Sequence, residues 1–432
     1  MSRALAAKAI AAIIVFGVVA SVFLSRDNRP DFSDFKVYWV AGGKAAEHRT
    51  VYDVQGHYQF KYSPFVASLW ALPVAVLPGS KFHWAWLHYA GSAVGWYAVW
   101  FALARWFYPR RAFALWLALV LVFCVGLRDE LKLGQANLWP FALVLPAWFV
   151  PARNRNERGF DALGFVVGLA WGLAVQWKLY ALVLAPVWLL RRRLHVGTGA
   201  IAVTALTLGP VLGLAHGWQF ALEENTRWLR SLTASSEQLL ISQYNVSALG
   251  IFGKWTAATG GPLPSAAFAF WGLLAIAWCG GLWWAEREAS RVTYPAAERG
   301  SRPASQPALL FWSASWAWAG VVVLNPLVWP YWLLLLAPLF AAYVSEALAG
   351  GGRADLRFWL VCALFAAMNW AQNYPVVHYG GSLLAVLLLL ADAWARAHAR
   401  DAQQLARLAQ MRVVSPRSAL DGERGALPQA PV

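Results

Sequence analysis

The chain has 432 residues, of which 59% are hydrophobic and only 13% are charged, with 28 Trp and a formal net charge of +15. A soluble domain normally carries about 25% charged residues, so the composition excludes a soluble globular protein and indicates a polytopic membrane protein. Short basic clusters separate the apolar runs, as in the run 191–193, which we interpret as orientation signals that meet anionic lipid. Nucleic acid is therefore not a predicted partner.

The first predicted element is an apolar helix over residues 4–24, which matches the roughly 20 residues that a bilayer core requires. Basic clusters mark the cytoplasmic side, so this span should carry Asp31 and Asp34 to the outer edge of the membrane. A carboxylate held at that edge is a candidate general base. The plainer interpretation is a surface ion pair of Asp34 with Lys36 or Arg29.

Eleven further spans follow from the apolar runs, and together with the first they predict an all-α bundle of about twelve crossings with both termini inside. They are predicted at 82–104, 112–126, 138–150, 161–175, 177–190, 197–215, 265–285, 308–324, 331–348, 358–372 and 381–396. The run 63–77 contains prolines that interrupt helix geometry, so we expect it to lie in the interface or to re-enter.

The predicted organisation is a transmembrane domain over 1–400 and a partly disordered cytoplasmic tail over 401–432. Residues 25–81 and 216–264 are predicted to be the larger extracytoplasmic loops. The sequence has no His/Cys cluster, no Asp-x-Asp pair and no glycine-rich phosphate loop. It therefore predicts neither a metal nor a cofactor.

Seven short motifs follow one another along the chain, and most of their polar residues fall on the outer side in this topology. In chain order they are Asp34-Phe-Lys-Val-Tyr38, Val51-Tyr52-Asp53, Phe60-Lys61-Tyr62-Ser63-Pro64, Gly134-Gln135-Ala136-Asn137, Lys178-x-Tyr-x-Leu running into Trp188-Leu-Leu-Arg-Arg-Arg, Asn245-x-Ser247, and Asn325-Pro326. In this order they resemble glycosyltransferase family 87, part of the C-type superfamily of polytopic transferases that use polyprenyl-phosphate sugars. The family often has a His after the late Pro/Trp motif, where this chain reads Trp329-Pro330-Tyr331.

The resemblance implies transfer of a hexose, with mannose favoured, from a polyprenyl-phosphate donor to a lipid or glycan acceptor. The reaction would take place on the extracytoplasmic face of the plasma (inner) membrane. By family position Asp34 is the general base, with Asp31 as the alternative, and one base with direct displacement would invert the anomeric centre. The leaving phosphate calls for cations at the membrane edge. The candidates are Lys178, Arg128, Lys132 and Lys61 for the phosphate, and Tyr38, Tyr62, Gln135, Asn137, Asn245 and Tyr331 for the substrate.

Simpler interpretations stand beside these. Lys178 could extend to the headgroups, Arg128 and Lys132 could be interfacial anchors, and the residues 134–137 could be only a polar turn. For the whole chain, the alternatives are a transporter or lipid-linked sugar flippase, and an assembly subunit without activity. Transporters keep functional polar groups near the bilayer midplane in two related halves, whereas here the polar motifs gather at one edge and no halves match.

Overall fold

The computed structural model describes residues 3–24, 30–52, 60–76, 80–150, 153, 159–234, 247–259, 265–298, 306–324, 330–349, 363 and 367. Across these ranges every regular element is a helix and no strand occurs, which confirms the predicted all-α class. The predicted span 358–372, apart from residues 363 and 367, lies outside the described residues, as do the span 381–396 and the tail 401–432.

The first half of the described chain is built from α-helices joined in places by 3₁₀ turns. The helices are α1 Arg3–Leu24, α2 Ser33–Ala46, α3 Pro64–Val76, α4 Lys81–Phe107, α5 Ala112–Leu133, α6 Leu138–Val144, α7 Ala162–Trp177 and α8 Ala185–Leu190. The 3₁₀ turns are Pro109–Arg111, Leu145–Phe149 and Leu179–Leu184. The run 63–77, which we expected to lie in the interface or to re-enter, contains helix α3, with Pro73 inside it, and α3 packs against α2.

The second half continues the helical pattern. Its elements are α9 Leu194–Leu206, a π-helical segment Thr207–Val211, α10 Leu212–His216, α11 Trp218–Ala234, α12 Ala248–Thr259, α13 Ser265–Glu298, α14 Gln306–Val323, a 3₁₀ segment Pro330–Leu336 and α15 Ala337–Ala349. Each predicted span up to 331–348 falls on one of these helices or on two or three short helical segments that follow each other.

Three helices in the described residues are long and apolar enough to cross a membrane: Ala112–Leu133, Leu194–His216 and Ala267–Arg287. Shorter apolar helices accompany them, and large apolar side chains point outward, as at Phe16 and Leu214, which are 74% and 82% exposed. An apolar surface of this kind suits lipid contact, so the chain is a membrane protein. The count of about twelve crossings stays a prediction.

Helices α7 and α9 pack closely together. A Cβ atom at Gly168 would lie 2.2 Å from the carbonyl oxygen of Val196, and one at Gly199 would lie 2.2 Å from that of Phe165. Glycine at both positions lets the two backbones approach, as small residues do between helices in membranes. This contact fixes α7, which ends at the residue before Lys178.

Arg191, at the end of α8, has a role that the orientation interpretation does not include. Its side chain is completely buried, and its Nε donates to Oε1 of Glu286 at 2.9 Å. Its two terminal nitrogens donate to the Trp148 and Val150 carbonyls and to the Ser313 hydroxyl at 2.8–3.2 Å. A buried ion pair with satisfied hydrogen bonds ties α8 to the helices α13 and α14.

Candidate active site

The start of α2 is tied to the end of α5, and this contact positions Asp34. The backbone N–H groups of Asp31 and Phe32 both donate to the carbonyl oxygen of Lys132, at 3.2 and 3.0 Å. The exposed Asp31 carboxylate accepts from the N–H of Ser33 at 2.9 Å, a local bond of the kind that Asp makes to the backbone two residues on. Asp31 thus bonds locally just before α2, and Asp34 lies in the first turn of that helix.

The turn after α5 needs glycine at its first position. Gly134 ends the helix in the left-handed region, with φ at 70°, and its N–H donates to the carbonyl of Leu131 at 3.0 Å. A Cβ atom there would lie 2.6 Å from Cβ of Phe35, so both the backbone angle and the approach of α2 favour glycine. The next residue, Gln135, is thereby brought against Asp34.

Five of the predicted site residues form one continuous chain of hydrogen bonds. Nε2 of Gln135 donates to Oδ2 of Asp34, and Oε1 of the same amide accepts from Nζ of Lys178 at 3.3 Å. Nζ of Lys178 also donates to the Tyr62 hydroxyl at 3.0 Å, and Tyr38 donates to that hydroxyl at 2.8 Å. The carboxylate and the ammonium therefore lie at the two ends of one amide group.

Lys178 lies in extended backbone between α7 and the following 3₁₀ turn. Its Nζ is 4.8 Å from the ring centroid of Tyr62 and 5.7 Å from that of Trp332. Aromatic faces attract a cation, so the ammonium is held in place while its side chain stays only half-buried. This arrangement differs from a lysine that merely extends to the lipid headgroups.

The charges around Asp34 act in opposite directions on its protonation. Burial raises the pKa of the Asp34 carboxyl, while the Lys178 ammonium and the Gln135 donor lower it, and Asp31 raises it further. Burial and the neighbouring Tyr62 raise the pKa of Tyr38 well above its usual range. Tyr38 therefore stays protonated and serves as a hydrogen-bond donor.

A buried layer beneath this chain contains residues that the sequence did not single out. Glu130 is fully buried and accepts from the backbone N–H of Asn137 at 2.9 Å and from its side-chain amide at 2.6 Å. The hydroxyl of Tyr180 donates to Oδ1 of Asn137 at 3.0 Å. Asn137 is thus fully engaged by protein groups. Glu130 lies in the charged end of α5, beside Arg128, Asp129 and Lys132, so nothing in the sequence set it apart from its charged neighbours.

Hydrogen bonds to helix α11 and to Tyr52 hold the backbone around Tyr62. The indole of Trp228 donates to the carbonyl of Lys61 at 3.1 Å, and the hydroxyl of Tyr52 donates to the carbonyl of Tyr62 at 2.6 Å. Glu224, which is buried, accepts from the N–H of Val51 at 2.8 Å. These bonds fix the backbone on which Tyr62 stands. Burial lowers the pKa of the Lys61 ammonium.

The structure either shows other contacts for the remaining predicted site residues or does not describe them. Arg128 pairs with Asp129 at 2.6 Å and so already has a counterion, and Lys132 is fixed through its backbone carbonyl. Asn245 lies outside the described residues, as does the side chain of Tyr331. No group of three His, Cys, Asp or Glu side chains that could hold a metal occurs in the described part of the chain.

The carboxylate of Asp34 and the ammonium of Lys178 lie at the two ends of one amide and do not pair directly. This geometry suits a group transfer, in which the carboxylate accepts a proton from one substrate and the ammonium faces the negatively charged leaving group of the other.

The family model for glycosyltransferase family 87 matches residues 60–301, more than half of the chain. No curated protein and no solved structure matches. The matched stretch includes Tyr62, Gln135 and Lys178, and the hydrogen bond from Gln135 joins it to Asp34. The chain is therefore a glycosyltransferase that belongs to glycosyltransferase family 87.

Proposed function

We propose that this protein transfers a hexose from a polyprenyl-phosphate donor to a lipid or glycan acceptor on the extracytoplasmic face of the membrane. Mannose is the favoured sugar, by resemblance to the family. The apolar outer surface supports a donor that arrives through the bilayer, and family membership supports a sugar as the group transferred.

The observation that carries the proposal is the Gln135 amide that bridges Asp34 and Lys178. The intervening amide keeps the two groups from neutralising each other in a direct ion pair. Both remain available, one for the acceptor hydroxyl and the other for the donor phosphate. The bridge also fixes their spacing, which matters because transfer requires both ends of the reacting bond to be aligned at once.

In the proposed reaction the acceptor oxygen attacks the anomeric carbon while the bond from that carbon to the phosphate oxygen breaks. The acceptor proton passes to the carboxylate of Asp34, and polyprenyl phosphate leaves with the electron pair. Lys178 stabilises the charge that develops on the phosphate, and Lys61, Arg128 and Lys132 are the further cations that we propose for it. A single displacement inverts the anomeric centre.

The sugar would lie over the hydrogen-bonded chain. We propose that Tyr38, Tyr62 and Gln135 line its site, with Asn245 and Tyr331 as further contacts. Asn137 supports the site from beneath, since its N–H and both of its side-chain polar atoms already have protein partners.

The test is transfer of label from polyprenyl-phosphate mannose in membranes that contain Asp34→Asn. We expect transfer to be abolished while the protein still inserts and folds, because the amide cannot accept the acceptor proton. Glu47→Gln changes an exposed carboxylate at the other end of α2 and is the matched control. Asp31→Asn tests the competing base.

Retained turnover in the Asp34→Asn variant would remove Asp34 from the role of base. Label that crosses the membrane without entering an acceptor would favour a transporter. A reporter fused within residues 25–31 that reports a cytoplasmic location would contradict the proposed side of the reaction.

A further inference from the structure

A carboxylate lies directly beneath the site without being part of the proposed reaction. Glu130 occurs in the last two turns of α5, is completely buried, and uses both oxygens on one residue, Asn137. A buried carboxylate is costly unless its oxygens are satisfied, so its position calls for a reason beyond packing.

Glu130 holds both parts of the turn that follows it. Its backbone carbonyl accepts from the N–H of Gln135 at 2.9 Å, while its side chain accepts from the N–H and the amide of Asn137. Nε2 of His88, in α4, lies 2.9 Å from the carbonyl of Gln135. Both the N–H and the carbonyl of Gln135 are therefore held, and its side chain reaches Asp34 and Lys178.

We propose that Glu130 is a positioning residue, whose carboxylate anchors the Gly134–Asn137 turn so that the Gln135 amide bridges the base and the phosphate-binding cation. This inference rests on the proposed function, because it assigns to Glu130 the alignment of that same pair. Glu130 acts through the turn and does not itself touch the substrate.

The hydrogen-bond donors of Asn137 explain why a carboxylate suits this position. Asn137 presents two donors to residue 130, and a carboxylate has two acceptor oxygens. The Tyr180 hydroxyl occupies the Asn137 amide oxygen at 3.0 Å, which sets the orientation of that amide. An apolar residue at 130 would leave both donors buried and unpaired, which is costly, and the turn would shift to satisfy them.

The arrangement predicts a particular kinetic signature. Lys178 keeps its contacts with Tyr62 and Trp332 when the turn shifts, so the charge assigned to the donor phosphate stays in place. The alignment of Asp34 is lost, because the Gln135 amide no longer holds it. The loss should therefore appear mainly in kcat, with a smaller rise in the donor KM from the displaced Gln135 side chain.

The test compares Glu130→Leu with the conservative Glu130→Gln in the full-length protein, using transfer from polyprenyl-phosphate mannose. We expect Glu130→Leu to lower kcat by about 10²-fold, the effect of a misplacement of about 1 Å, and to raise the donor KM by a smaller factor. Glutamine offers one acceptor for the Asn137 N–H and, if the Asn137 amide turns over, one donor for its oxygen. Glu130→Gln should therefore recover most of kcat.

A reciprocal exchange keeps the inference falsifiable if Glu130→Leu does not fold. Asn137→Asp alone sets two carboxylates against each other, and we expect it to lose activity or to fail to accumulate. Adding Glu130→Gln restores both hydrogen bonds with the amide and the carboxylate exchanged, so the double variant should regain folding and turnover.

Three results would overturn the inference: wild-type kcat in folded Glu130→Leu, equal impairment of Glu130→Gln and Glu130→Leu, or a folded but inactive double variant. Asp34→Asn, measured alongside, separates this from the proposed function. If wild-type protein is active, Asp34→Asn is inactive and Glu130→Leu is unaffected, only the positioning role fails. If wild-type protein transfers no sugar, or Asp34→Asn transfers as wild type does, the proposed function fails and the positioning role falls with it.

Discussion

Replacement of Lys178 by methionine should remove the charge that we assign to the donor phosphate while keeping a flexible side chain of similar length. The ammonium donates to Tyr62 and to Gln135 and faces two aromatic rings. Methionine can pack against the same rings, so the variant should fold. The expected loss is therefore electrostatic rather than structural.

The size of the loss follows from the charges. Two unit charges about 4 Å apart interact by about 4 kcal/mol at an effective dielectric constant of about 20, and about 1.4 kcal/mol corresponds to a tenfold change in rate. We therefore expect kcat/KM to fall by up to about 10³-fold. The donor already carries one negative charge and gains a second as it leaves, so KM should rise and kcat should fall together.

The assay is transfer of labelled sugar in membranes, with substrate concentration and pH both varied. Lys178 also lowers the pKa of Asp34, so its removal should shift the acidic limb of the rate profile to higher pH. The electrostatic loss is the part that persists on the plateau, where Asp34 is ionised. Lys178→Arg keeps the charge with a different geometry and should retain more activity than methionine. A loss below about tenfold on the plateau in folded Lys178→Met would refute the assignment of this cation, since charge-stabilising donors are worth about 10²–10³-fold.

Three further outcomes are expected. Burial raises the pKa of Asp34 above its usual 3.8, and the base must be ionised, so the rate should fall as pH drops through a midpoint above that value; a midpoint at or below 3.8 in a pH–rate profile would contradict this. Gly134→Ala should destabilise the protein by about 1–2 kcal/mol from its left-handed backbone alone, and it should also lower sugar transfer. At the control position Gly43, a Cβ would meet only a methyl group at 4.0 Å, so Gly43→Ala should change neither stability nor transfer. Equal Tm values for the two variants would refute the close-approach reasoning. Glu286→Ala should destabilise the protein by about 3–5 kcal/mol, because it leaves the buried Arg191 charge without its partner. Glu286→Gln should lower Tm less. An unchanged Tm in Glu286→Ala would show that this ion pair does not hold the helices together.

Much of the site composition could be predicted from short motifs. Asp34, Tyr62, Gln135 and Lys178 were all singled out in the sequence, and the structure joins them by direct hydrogen bonds. Each motif combines a polar side chain with the edge of an apolar run, and this pattern is local. Their proposed chemical roles stay predictions.

The supporting residues could not be predicted in the same way. Glu130 lies among the charged residues that end α5, and Trp332 lies within an apolar stretch, so each has several ordinary explanations. Arg191 looked like one of three loop arginines. Their roles depend on partners far away in sequence: Arg191 meets Glu286, 95 residues later. Such pairings follow from how helices pack, which a single sequence does not encode in any local pattern.

By itself the sequence determined that this chain is helical and inserts into a membrane. Long apolar runs with few charges can form all of their backbone hydrogen bonds in lipid only as helices. It also determined which polar residues stand at the ends of those helices. Only the tertiary structure decided that the Gln135 amide lies between Asp34 and Lys178, and that Glu130 lies beneath it. The physical reason is that hydrogen bonds act over about 3 Å, so a site exists only where packing brings together residues that lie 43 and 101 positions apart.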